Sequence, residues 1–113
     1  MSASCLFCRI ALVEIPATII ARNATCLAFR DIAPQAPVHV LVIPVEHAQS
    51  LNDAAALPVL SDLLSLAREV ALQEGIAESG YRVVTNTNAD GGQSVAHLHL
   101  HVLGGRALGW PPG

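Results

Sequence analysis

Short apolar runs separated by turn residues set the rhythm of this chain. Segments 18–21, 26–29 and 38–43 are largely apolar, and Pro16, Asn23, Pro34, Pro37 and Pro44 bound them. Each predicts a strand. Between residues 57 and 73 the period changes: Leu60, Leu63, Leu64, Ala67, Val70 and Ala71 recur at helical spacing. One long helix is expected there, with Gly75 standing where it should stop. Segments 81–87 and 98–103 predict two more strands, separated by the turn Asn88-Ala89-Asp90-Gly91-Gly92, and 5–13 predicts a short N-terminal helix. No linker, repeat or low-complexity tract interrupts residues 1–113. The expectation is a single α+β domain with a largely antiparallel sheet.

Composition sharpens this picture in two places. At 113 residues the chain is long enough for a real core. Its 52% apolar and 13% charged residues exceed and fall short of ordinary usage respectively. Surplus apolar surface of that kind predicts a homodimer. A net charge of −3 with six Lys and Arg supplies no basic stripe for a nucleic acid. No apolar run is long enough for a membrane helix. Residues 1–8 lack the basic and apolar regions of a secretory leader, and three cysteines, an odd number, suit a reducing compartment. A cytoplasmic protein is expected.

The informative stretch is Gly91-Gly92-Gln93-Ser94-Val95-Ala96-His97-Leu98-His99-Leu100-His101-Val102-Leu103. In a strand His97, His99 and His101 share one face, while Leu98, Leu100 and Val102 share the other. Three readings compete. The row could be a solvated or internally satisfied face. It could be a metal site, since imidazole is a common ligand. Or it could be a nucleophilic site, in which a neutral imidazole attacks an electrophile. Packing alone selects the leucines opposite, not three imidazoles. The upstream glycines favour the nucleophile, because Gly91-Gly92-Gln93-Ser94 can offer N–H groups and a hydroxyl to an anion. Cys5-Leu6-Phe7-Cys8 is a second candidate, but two thiols do not complete a tetrahedral site, and a redox or purely structural pair is equally open. Taken singly, Asp31 reads as a turn residue, Asn86 as a strand end, His39 as a satisfied core histidine and Cys26 as a buried strand residue.

The sequence His-Leu-His-Leu-His-Val-Leu resembles the signature of the histidine triad superfamily. The resemblance continues through Glu14-Ile15-Pro16-Ala17, Leu27 to Ile32, Pro34 to His39, Leu41-Val42-Ile43-Pro44, Gly91 to Ser94, Leu103 to Arg106 and Trp110-Pro111-Pro112-Gly113. Together these are similar to the Hint branch, the histidine triad nucleotide-binding proteins. The resemblance implies a homodimer with joined sheets that binds purine nucleoside monophosphates, of AMP or GMP type. It implies hydrolysis of adenosine 5'-phosphoramidates through a nucleotidyl-histidine. His99 is then the nucleophile, His101 contacts phosphate oxygens, and His97 completes the catalytic triad. Gly92, Gln93 and Ser94 match the phosphate-side loop, with Ser94 near the departing group. Asp31 and Ile32 match the ribose and base pocket, Asn86 a further nucleotide contact, and His39 a supporting histidine. Superfamily members that carry the cysteine pair bind structural zinc, which implies Cys5, Cys8, His47 and His97 as ligands and no cofactor required for catalysis. Better-known Hint proteins lack the cysteines, so this is a departure from the branch pattern. Two alternatives stay beside the phosphoramidase: a dinucleoside polyphosphate hydrolase, and a nucleotide- or partner-binding module without catalysis.

Overall fold

A computed structural model describes residues 5–113; residues 1–4, part of the segment read for a leader, lie outside them. Five strands form one antiparallel sheet: β1 (Ile19–Arg22), β2 (Cys26–Arg30), β3 (Val38–Pro44), β4 (Tyr81–Val84) and β5 (Leu100–Gly104). Their spatial order is β1-β2-β3-β5-β4. β3 therefore lies at the centre, and its residues Val38–Pro44 are buried almost throughout, as an apolar run interrupted only by His39 requires.

The sheet's two faces have different covers. Ala28, Val40, Val42, Leu100 and Val102 pack against Leu63, Leu66, Ala67 and Val70 of the long helix α2 (Leu60–Gln73). The alternate residues Leu27, Phe29, Leu41 and Ile43 pack against Phe7 and Ile10 of the short helix α1 (Leu6–Ala11). His101 pairs with Leu41 across the β3–β5 ladder and thus stands on the α1 side. Among the described residues, no helix is long and apolar enough to cross a membrane.

Several expected boundaries move, among them the short helix expected over 5–13, which spans Leu6–Ala11, and three of the shifts have a local reason. The helix expected over 57–73 begins as a 3-10 turn, Ala54–Val59, capped by the Asp53 carboxylate, and becomes α-helical only at Leu60. Pro58 has no N–H to give an α-helical bond at that point. The helix ends where expected: Gly75 adopts φ +76, Ile76 N–H reaches Ala71 C=O at 3.0 Å, and Gly75 N–H reaches Leu72 C=O at 3.2 Å. The strand expected over 81–87 stops at Val84, and the one expected over 98–103 starts only at Leu100. Here the Thr85 hydroxyl donates to the His99 carbonyl at 2.9 Å in place of a ladder bond. Leu98 N–H instead bonds Ala48 C=O at 2.7 Å, turning the chain away from the sheet.

Candidate functional site

All five histidines of the chain stand in one row beside α1. Ring centroids lie 4.9 Å apart for His47 and His97, 5.0 Å for His99 and His101, and 5.1 Å for His39 and His101. Phe7 bridges the middle, edge-on to His97 at 5.9 Å and to His99 at 5.1 Å.

Backbone groups fix the protons along this row. His39 Nδ1 accepts the Gln35 N–H at 3.0 Å, so its own proton sits on Nε2. That Nε2–H faces His101 Nδ1 at 2.9 Å, with an Asp31 carboxylate oxygen at 3.4 Å. Accepting on Nδ1 leaves the His101 proton on Nε2. Burial pushes His101 down to about 4, aided by the positive potential of His99 and His39 and opposed by Asp31. Burial also lowers His39, partly offset by Asp31. Both rings are therefore neutral near pH 7. His99 is 4% exposed, and its Nδ1–H donates to the His97 carbonyl at 2.7 Å. The lone pair is left on Nε2.

His97 faces elsewhere. Its Nε2–H donates to the Pro44 carbonyl at 3.0 Å, which leaves Nδ1 as the lone-pair nitrogen. That Nδ1 lies 3.2 Å from Cys5 Sγ, 3.5 Å from Cys8 Sγ and 3.2 Å from His47 Nδ1. Cys8 Sγ is 3.3 Å from His47 Nδ1. Burial holds His97 down at about 4. Zinc bonds of about 2.0–2.3 Å in tetrahedral array place ligand atoms roughly 3.3–3.8 Å apart. The four donors here, two sulfurs and two imidazole nitrogens within 4.8 Å of one another, fit that ion as a closed set. His97, His99 and His101 keep to the α1 side, opposite Leu98, Leu100 and Val102, although β5 begins only after His99, and the two ring nitrogens of His97 are committed to the Pro44 carbonyl and to the cysteine cluster.

His99 and His101 line a cleft of about 250 Å³ together with Asp31, Ile32, Ser94 and Val95 and with the apolar Leu6, Phe7, Ile10 and Ile15. Its walls are apolar and its polar groups few, the usual make-up of a small-molecule site. Asp31 is also the turn residue its type suggests, accepting the Ala33 N–H at 2.8 Å. Ile32 is fully exposed at the rim. A larger cavity of about 430 Å³ lies by Thr25, Val45 and Pro58 and holds one imidazole, His47; the pair with a lone pair and an N–H side by side is in the smaller one.

The structure does not bring every expected residue to the cleft wall. Asn86 Nδ2 donates to Gly91 C=O at 2.6 Å, and Gly92 takes φ +76. The Gln93 side chain accepts from Asn88 N–H at 2.9 Å and donates to Gln49 C=O at 2.7 Å and Val95 C=O at 3.0 Å. Asn86, Gly92 and Gln93 therefore shape the loop that presents Ser94, and none of them lines the cleft. Sequence reasoning missed the α1 wall of Leu6, Phe7 and Ile10. The sequence carried one signal for it, apolar residues within and just after the cysteine pair.

What fold and site define first is a class, an α+β domain built around a row of imidazoles. Residues 13–108 match the HIT domain family. The chain is 46% identical over 111 residues to the purine nucleoside phosphoramidase of Escherichia coli K12, covering 96% of this chain and 93% of that protein. A HIT family hydrolase from Legionella pneumophila superposes with a TM-score of 0.92 at 51% identity, over 97% of this chain and all of that one. A histidine triad nucleotide-binding protein from Candida albicans superposes with a TM-score of 0.84 at 32% identity, over 96% of this chain and 83% of that one. The chain belongs to the HIT family.

Proposed function

We propose that this protein hydrolyses the P–N bond of purine nucleoside 5'-phosphoramidates, using His99 as nucleophile. One observation carries the reading: His99 Nδ1–H is held by the His97 carbonyl at 2.7 Å while His99 and His101 line the same cleft. The lone pair on His99 Nε2 forms a bond to phosphorus, and the bond to the amine breaks. The amine nitrogen takes up a proton from solvent water as the P–N bond breaks, since protonation of such leaving groups typically gains about 10²–10⁴-fold. The nucleotidyl imidazolium keeps its Nδ1–H on the His97 carbonyl, which bears the new positive charge well. Water then attacks phosphorus, the bond from phosphorus to His99 Nε2 breaks with its electron pair returning to that nitrogen, and the water's proton is released to solvent. His101, neutral and protonated on Nε2, donates to a phosphate oxygen. His39 and the Gln35 N–H keep it in that tautomer. Ser94 stands on the side of the departing amine, and its loop is shaped by Gly92, Gln93 and Asn86. Asp31 accepts from the ribose hydroxyls, and Ile32 covers the base.

A zinc ion in the closed Cys5–Cys8–His47–His97 set would tie α1 to the segments bearing His47 and His97. Leu57, Leu64 and Leu72 remain 71%, 54% and 57% exposed, which supports a homodimer; a monomer in sedimentation at micromolar concentration contradicts it. The test of the main reading is rapid quench with a slowly turned over adenosine 5'-phosphoramidate, followed by mass analysis. AMP covalently attached to His99 is expected; turnover without any adduct contradicts it. Faster turnover of diadenosine polyphosphates than of the phosphoramidate would move the assignment to that hydrolase class. Absence of turnover on both, with AMP still bound, would leave a binding module.

A further inference from the structure

Two pieces of the molecule serve the metal-type cluster and the cleft at once. The first is α1. Cys5 caps it and Cys8 lies in its first turn, with Cys8 N–H 3.4 Å from Cys5 Sγ. Leu6, Phe7 and Ile10, from the same short helix, wall the cleft. At six residues, α1 is far below the length at which a helix persists alone, so its docking depends on its packing and on whatever holds its two sulfurs. The second piece is His97. Its ring nitrogen points into the cluster, while its own carbonyl holds the His99 ring. A single residue thus faces the metal site with its side chain and orients the nucleophile with its peptide group.

We propose that metal binding at Cys5–Cys8–His47–His97 and nucleotide binding in the cleft are linked, each tightening the other. The inference rests on the nucleotide reading above. An ion fixes the sulfurs and the His97 ring, which raises the population of chains whose α1 wall and His99 ring are already in place. Apparent affinity rises with that population. Thermodynamic linkage then requires the nucleotide to tighten the ion by the same factor.

The test uses the full chain, AMP and Zn²⁺. Calorimetry should give an AMP Kd at least about fivefold lower for the zinc-loaded chain than for the stripped one, the lower end of usual couplings. Competition with a chromophoric chelator should give a zinc Kd lowered by an equal factor at saturating AMP. Equal AMP affinities in the two forms overturn the proposal. Because stripping can unfold the chain, a second readout keeps the metal in place. In Co²⁺-loaded protein, saturating AMP should shift the thiolate–cobalt and d–d bands, and Phe7→Leu, which retains every ligand, should diminish that shift. Bands that stay fixed overturn the proposal too. Failure of AMP to bind even the zinc-loaded chain removes the nucleotide reading and this inference with it; equal binding to both forms removes the inference alone.

Discussion

At one end of the imidazole row, His47 and His97 turn toward two sulfurs, and His97 is wholly buried. At the other end, His39 turns toward a carboxylate and toward His101, and His101 and His99 open onto a cleft. The residue type is the same, yet the lone pair is presented on opposite nitrogens: Nδ1 in His97 and Nε2 in His99. What differs is the backbone group on the other nitrogen, the Pro44 carbonyl for His97 and the His97 carbonyl for His99. Tautomer is thus set by the main chain before any ligand arrives, and with it the division into a closed end and a reactive end.

Removing the reactive end alone should have the largest effect. His99→Ala is expected to lower kcat by about 10³-fold or more while AMP still binds, since the group lost acts in bond making. Steady-state rates with calorimetric AMP titration check this; a variant that retains a tenth of wild-type turnover would place the nucleophile elsewhere. The closed end should answer with stability instead. Cys8→Ser is expected to lose bound zinc and about 3 kcal/mol or more of unfolding free energy, because a closed site's binding energy is folding energy. Metal analysis and urea melts decide it. Wild-type protein purified without chelator and holding under a tenth of an equivalent of zinc would dissolve the contrast between the ends.

Acid should also distinguish them. Folded His101 titrates at about 4 against an ordinary value of 6.5. Between those pH values the unfolded chain takes up a proton that the folded chain refuses. Stability from this residue is therefore complete above pH 6.5 and is lost as pH falls toward 4. Allowing for partial exposure, the loss is about 2 kcal/mol. Urea midpoints measured from pH 7.5 down to 4.5 should fall more steeply for wild type than for His101→Gln; parallel slopes would show that His101 is not held neutral by its surroundings.

The difference between the ends also shows what the sequence could reveal. Periodicity located β2, β3 and α2 because long runs facing a core leave a regular trace: Val40 and Val42 face α2 while Leu41 and Ile43 face α1. The alternating histidines pointed to the chemistry, but alternation implied a strand from residue 98. The real chain leaves the sheet before Leu100, since Thr85 and Ala48 take the backbone bonds of His99 and Leu98. Such bonds come from residues distant in sequence and leave no periodic mark. The same holds for the carbonyl of Pro44 and the N–H of Gln35, which set two tautomers although neither residue type suggests a role. The cluster of Cys5, Cys8, His47 and His97 was reached through resemblance. Spacing alone offered two ligands, and the fold supplies the other two from 39 and 89 residues beyond Cys8.

The smallest expected effect probes how the reactive end is braced. Gly105 follows β5 with φ +90, and a Cβ placed there would lie 2.8 Å from Pro37 Cβ and 3.3 Å from its Cγ. A proline ring cannot swing aside as a long side chain would, and a left-handed backbone is unfavourable for alanine. Next to it, Arg106 Nη2 donates to the Gln35 carbonyl at 3.0 Å, and the Gln35 N–H is the group that fixes His39. Gly105→Ala should therefore destabilise the fold by about 1 kcal/mol. It should also lower kcat modestly, because the strain falls on the loop that keeps His39 and His101 in register. The cluster end should not notice, so zinc content and the Co²⁺ spectrum should match wild type. Gly109, where an added Cβ meets nothing within 4 Å, supplies the control: Gly109→Ala should leave melting and turnover unchanged. A Gly105→Ala protein as stable as the Gly109 control would mean that the 34–38 segment yields easily, and that His39 is held by its ring contacts instead of its loop.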